Sequence, residues 1–354
     1  MPTLDRGDRL LLALSAALTA AAAITRYVPV NAVVAFVVSA AAIAVLAALV
    51  GRAVDQLAER MNPGATGVLQ SALGNLPELF IALFALRAGL LQVATSAVIG
   101  SILANILLVL GLAFVVGGLR HGTQRFSAPP ARLLVTLMLL SVGVMLLPSL
   151  TGALHTPAAS HEVGLSRIAA VVLLLVFAAS VPASLKASAP DDRLARERPQ
   201  ARWSLGFAVT MLTVSGVLAA VVSDWFVTAL QPAIVSLHMS QTFAGLVVVA
   251  IAGNAVENVV GLRLAAQDRL DYALSIILNS PVQIALVLAP LLVLLSPLVG
   301  GVAFTLVFAP LLMASVFIAM LVVTVIVLDG ESTWPEGVAL VGLYVVVAAS
   351  FWWG

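Results

Sequence analysis

Two carboxylates, Glu78 and Glu257, stand inside long apolar runs, each four residues after the first member of a Gly-Asn pair: Gly74-Asn75 and Gly253-Asn254. An ionised acid in hydrocarbon is costly unless a cation or a proton accompanies it. Neither run contains a Lys or Arg, so the chemistry to which the pair points is binding of a mobile cation or proton. Further polar residues fall at helical spacing around them. Ser101 and Asn105 are four apart, Ser280 and Gln283 three apart, and Ser71 shares a helix side with Glu78, with Gln70 close by. With Asn75 and Asn254 these offer carboxylate, amide and hydroxyl oxygens, the ligands of a hard cation such as Ca2+, which takes about six to eight. Gly74, Pro77 and Gly253 weaken their helices, so freed backbone carbonyls join the candidate donors; close packing at the glycines is the plainer reading.

Other chemistries find little support. There are no cysteines, which removes disulfides and thiolate metal sites. His121, His155, His161 and His238 all fall in expected loops, as solvated histidines do, away from a zinc geometry. No Gly-x-Ser-x-Gly, His-Glu-x-x-His or nucleotide loop occurs, so the chain is read as no enzyme, with no cofactor. A net charge of +1 without basic clusters gives no footprint for nucleic acid.

The elements that must position the acids are membrane helices. Hydrophobic residues make up 62% of the chain and charged residues 9%, with mean hydropathy +1.15, values outside the soluble range. Eleven apolar runs reach bilayer length, near 9–25, 29–50, 64–86, 92–118, 131–149, 164–185, 203–223, 242–262, 271–295, 300–328 and 336–353. A cleaved leader is disfavoured by Asp5 and Asp8 in the first basic stretch. Alternate connecting segments hold fourteen of the 17 basic residues, which predicts a cytoplasmic N-terminus and an external C-terminus. Trp203, Trp225, Trp334, Trp352 and Trp353 fall near span ends, at headgroup depth. The Ala/Val/Leu-rich style fits a prokaryotic plasma membrane.

A displacement of 179 residues carries Gly74, Asn75, Glu78, Ser96 and Ser101 onto Gly253, Asn254, Glu257, Ser275 and Ser280 without a gap. The expected fold is an all-α integral membrane protein. It has an N-terminal transmembrane helix (1–28), a first five-helix repeat (29–185), a cytoplasmic linker (186–202) and a second five-helix repeat (203–354). An odd number of spans per repeat inverts the second copy, a transporter architecture with its site near midplane.

The stretch from Gly64 to Gly118, with GNLPELFIALFALRAG and GSILANILLVLGL, resembles the first signature repeat of the calcium/cation–proton antiporters, the CAX branch of the cation/calcium exchangers. The stretch from Phe243 to Leu295, with GLVVVAIAGNAVENV and SPVQIALVLAPLLVLL, is similar to their second. The resemblance implies that Glu78 and Glu257 bind cation and protons alternately, with Asn105 and Gln283 among the neighbouring ligands. This chain departs from the family's usual pattern at Leu76-Pro77, at Asn258 in place of a histidine, and at Asn279-Ser280-Pro281.

The function expected is exchange of cytoplasmic Ca2+ for protons, with the lipid bilayer as the other partner and the oligomeric state unread. Na+ as counter-ion is the rival within the carrier class. A passive cation channel is the rival outside it, disfavoured because channels build their pores from symmetric subunits.

Overall fold

The computed structural model describes residues 4–61, 73–187, 202–300 and 302–353, and the side chains among them except those of 182–187, 256 and 257. Gln70, Ser71 and most of the expected linker lie outside the described residues. The helices are α1 (Arg6–Tyr27), α2 (Ala32–Ala58), α3 (Leu76–Arg87), α4 (Leu91–His121), α5 (Ala128–Ala153), α6 (Glu162–Ala187), α7 (Leu205–Leu237), α8 (Gln241–Gly253), α9 (Ala255–Ala265), α10 (Leu270–Val299), α11 (Pro310–Val327) and α12 (Trp334–Ser350). Two short strands, β1 (Gln124–Arg125) and β2 (Glu331–Ser332), pair antiparallel in the register Gln124↔Ser332. Eight helices among the described residues are long and apolar enough to cross a membrane, or nine when α8 and α9, bent by 65°, count as one span. The chain is a helical integral membrane protein.

It divides into two compact units, one of Met1–Phe84 and Ala179–His238, the other of Ala85–Ala178 and Met239–Gly354. In the first, α1 and α7 both pack on α2, through a cluster of Leu49, Ala53, Leu57, Trp203 and Ala208 and a stacked Phe36–Phe226 pair at 5.1 Å. Asp5 caps α1, accepting from Asp8 N at 2.7 Å. Asp8 is buried and accepts from Arg52 Nε at 2.9 Å and from Trp203 Nε1 at 3.0 Å. Gln56 Oε1 takes the backbone N–H groups of Arg202 and Trp203 at 2.8 and 2.9 Å. Trp203 is wholly buried among these partners.

In the second unit α4 and α10 are the long enclosed helices, each ended by a glycine of positive φ, Gly122 at 75° and Gly300 at 78°, a conformation that costs glycine little. Gly111 and Gly337 let α12 lie directly on α4. The expected 300–328 helix is corrected: α11 starts only at Pro310, and residues 302–309 run non-helical. Buried backbone N–H groups outside a helix need partners, and serines supply them. The N–H groups of Phe304, Leu306 and Phe308 donate to the hydroxyls of Ser296, Ser166 and Ser149 at 2.9, 3.0 and 3.1 Å. Those residues alternate with half-exposed ones, so the buried side of this segment meets a row of hydroxyls.

Two further expectations shift. The connection expected between the runs 203–223 and 242–262 is shorter than read, because α7 continues through Asp224 and Pro232 to Leu237. Tyr27 at the end of α1 meets the Trp225 ring edge-on at 6.2 Å. His121 belongs to the last turn of α4, where its Nε2 donates to Ala266 O at 3.1 Å.

Candidate cation site

The helices that carry the two acids both begin late. α3 starts at Leu76 after a turn at Gly74-Asn75, and α9 starts at Ala255 after a turn at Asn254. Glu78 and Glu257 are therefore each the third residue of a helix rather than mid-helix, where exposed N–H groups and the macrodipole favour negative charge. Glu78 is 8% exposed; the Glu257 side chain lies outside the described set. Pro77, expected to kink its helix, stands at the second position of α3, where its missing N–H costs nothing. Gly253 is the last residue of α8, and Asn254, at φ −95° and ψ 17°, forms the corner.

Hydrogen bonds within the second unit join Ser101, Asn105, Asn254 and Ser280. Asn254 Nδ2 donates to Ser101 Oγ at 3.1 Å and to Ala250 O at 2.9 Å. Its Oδ1 accepts from Ser280 Oγ at 3.1 Å and from Asn105 Nδ2 at 3.2 Å. Asn105 Nδ2 also donates to Ser101 O at 2.8 Å. All four residues are buried. Polar groups so enclosed are stable only when satisfied, yet Asn105 Oδ1 accepts no hydrogen bond among the described residues. Asn258 Oδ1, one turn along α9, is likewise buried and unaccepted. A carbonyl oxygen left in this condition is a ready cation ligand. Among the described residues no three His, Asp or Glu side chains gather.

Two features that position this cluster escaped the sequence reading. The first is a glycine crossing: a Cβ on Gly100 would overlap the backbone of Leu246, and one on Gly245 would overlap Ser96 Oγ and Val93 O. This contact of α4 with α8 brings Ser101 within reach of Asn254. The second is a set of π-helical turns at Ala104–Val109, Ala244–Val249 and Ile284–Leu288, in which Leu110, Ala250 and Ala289 N–H reach five residues back to Asn105, Gly245 and Ile284 O. Such turns are rare and gather at functional sites. The first and third coincide, to one residue, under the 179-residue displacement, as do the starts of α4 and α10 and the ends of α2 and α7.

Of the residues singled out from sequence, Ser101, Asn105, Asn254 and Ser280 are thus brought together. Gln283 stands directly before the third π turn, three residues beyond Ser280. Asn75 and Glu78 belong to the first unit and are both buried.

The sequence pattern of the sodium/calcium exchanger protein family matches residues 31–186 and 207–353. A Ca2+/H+ antiporter of Synechocystis is 34% identical, with 89% of this chain and 90% of the relative aligned. The Ca2+/H+ antiporter ChaA of Bacillus subtilis is 32% identical over 89% and 91% of the two chains. Among solved structures, native YfkE superposes with a TM-score of 0.81 at 28% identity, covering 97% of this chain and 99% of its own. The H+/Ca2+ exchanger CAX, 16% identical, shares the fold with a TM-score of 0.77. The chain belongs to the sodium/calcium exchanger family, in the branch of the Ca2+/H+ antiporters.

Proposed function

We propose that this protein is a secondary active antiporter that moves Ca2+ out of the cytoplasm in exchange for entering protons, by alternating access, with Glu78 and Glu257 carrying cation and protons in turn. The observation that carries the reading is the pair of matching helix starts: each acid is the third residue of a helix that opens after a Gly-Asn break. The relatives named Ca2+/H+ antiporters, aligned over nine-tenths of their length, support the choice of ions.

Charge balance supplies the mechanism. One divalent cation or two protons neutralise two carboxylates, so the occupancies exclude each other. Desolvation makes the empty, doubly ionised form too costly to rearrange in a low-dielectric interior. Only loaded forms then cross, which yields exchange rather than leak. An N-terminus at each acid eases the charged form without supplying a fixed counter-ion that would compete with the cargo.

The architecture we infer is one N-terminal helix and two inverted five-helix repeats, 29–185 and 203–354, joined by a linker at 186–202. It has eleven crossings, a cytoplasmic N-terminus and an external C-terminus, in a prokaryotic plasma membrane. It is supported by the family match over two stretches and by helix ends that recur at one displacement.

The test is uptake of radiolabelled Ca2+ into proteoliposomes under an imposed pH gradient, with and without a Na+ gradient. Uptake that requires the pH gradient and is lost in both Glu78→Gln and Glu257→Gln supports the reading. Uptake that follows Na+ alone, or that survives in both variants, overturns it.

A further inference from the structure

α8 ends at the buried Asn254 corner, and its other end is fastened by a contact that the cation site does not explain. Ser240, the residue before α8, meets two carbonyls just past the last turn of α12. Its backbone N–H donates to Trp352 O at 3.2 Å and its hydroxyl donates to Phe351 O. The same hydroxyl accepts from Phe243 N at 2.9 Å. One side chain thus caps the first turn of α8 and satisfies a helix end whose last carbonyls lack partners of their own. The Phe243 ring closes the joint, meeting Trp352 edge-on at 4.7 Å. The negative end of the α12 dipole faces the positive start of α8, so the two helices attract head to tail.

The joint has a consequence for the far end of α8. Gln241–Gly253 rise by about 20 Å at 1.5 Å per residue, and a hydrogen-bonded helix is stiff along its axis. The crossing of Gly100 and Gly245 is a contact of backbone surfaces, which sets how near α8 lies to α4. Directional bonds are needed to set its height, and at the start of α8 Ser240 makes them.

We propose that Ser240 is a positioning residue for cation exchange: by fastening the start of α8 to the end of α12 it sets the height of α8, and with it the placement of the Asn254 corner and of Glu257 beyond it. This deepens the cation-exchange reading and rests on it.

The test separates positioning from capping. A cap whose loss only destabilises the protein lowers the amount that folds, and so Vmax, and leaves half-saturation where it was. In proteoliposomes under a pH gradient, Ser240→Ala should instead raise the KM for Ca2+ by about tenfold, while Ser240→Thr, which keeps the hydroxyl, should stay within about twofold of the parent. Should Ser240→Ala fail to fold, Trp352→Ala loosens the same joint and keeps the carbonyl, and its KM should rise by about threefold or more. A fall in Vmax with KM unchanged, or a threonine variant no better than the alanine one, overturns the proposal. Because the protein has no cysteine, Ala255→Cys places a single thiol directly after the corner. In detergent its rate of reaction with a methanethiosulfonate reagent should change by about threefold or more when Ser240→Ala is added, and should not change with Ser240→Thr. An unchanged rate with Ser240→Ala overturns the assignment. If the parent takes up no Ca2+, the exchange reading fails separately, and the thiol rates still decide whether Ser240 places the corner.

Discussion

Asn254 Nδ2 lies 3.1 Å from Ser101 Oγ across 153 residues of sequence, and this bond joins the corner of one broken helix to the enclosed helix of the other half. It exists because Gly100 and Gly245 bring the α4 and α8 backbones into contact beside it. The consequences of that relationship can be measured.

Gly100→Ala places a methyl group against the Leu246 backbone, which cannot swing aside as a side chain would. Overpacking of this kind costs about 1–3 kcal/mol, and the crossing must widen to admit it. Thermal unfolding in detergent should fall, and exchange should fall with it. Gly143→Ala is the control: nothing lies within 4 Å of its added methyl, and a helix-interior alanine should stabilise by about 0.5–1 kcal/mol. Equal effects at the two glycines would show that the crossing is not tight.

Asn254→Ala removes two donated and two accepted bonds at once. The groups left behind are buried, so each loses a partner that water does not replace, at about 1–3 kcal/mol for the least compensated. We expect a loss of several kcal/mol, larger than for Ser101→Ala or Ser280→Ala alone, and a strongly non-additive double-mutant cycle between Asn254 and Ser280. Chemical unfolding of the three proteins supplies the comparison, and simple additivity would argue against a shared network.

How much of this was legible beforehand follows from what a single sequence encodes. The acids, the Gly-Asn breaks and the 179-residue displacement are residue identities, and they could be read directly. Helix starts with local caps were also readable in principle: Asn31 accepts from Val33 N and Ser240 from Phe243 N, each within three residues. The stretch 302–309 was not, because its apolar residues resemble a span and its hydroxyl partners sit as far as 159 residues away. Asp224 falls just past the apolar run 203–223 and so in the expected gap before 242–262, yet it is an exposed residue within α7. Ser101 and Ser280 looked equivalent because identity does not carry hydrogen-bond direction.

The hydroxyl ladder under 302–309 predicts a graded response. Ser166→Ala and Ser296→Ala each strand one buried N–H, of Leu306 and Phe304 respectively, at about 1–3 kcal/mol. Ser149→Ala should cost more, since its hydroxyl accepts from Phe308 N and also donates to Leu306 O at 3.0 Å. Unfolding midpoints in detergent should rank in that order. A Ser149 variant indistinguishable from the parent would mean that water reaches this backbone.

Asp8 anchors the first unit through two donors of different kinds, and they should separate by mutation. Asp8→Asn keeps an acceptor for the Trp203 indole at 3.0 Å but removes the charge that pairs with Arg52 at 2.9 Å. Arg52 is about a third exposed, with a side-chain accessibility of 31%, so solvent screens it and the loss should be modest, about 1 kcal/mol. Asp8→Ala also leaves the enclosed Trp203 N–H without its acceptor, and that group has no access to water. Its cost should therefore exceed that of Asp8→Asn by about 1–3 kcal/mol. Trp203→Phe, which deletes the N–H and keeps most of the ring volume, should bring the Asp8→Ala penalty back toward that of Asp8→Asn when the two are combined. Unfolding free energies for the four proteins test this directly, and a combined loss equal to the sum of the single losses would assign the stability of this corner to packing of the Trp203 ring rather than to its bond with Asp8.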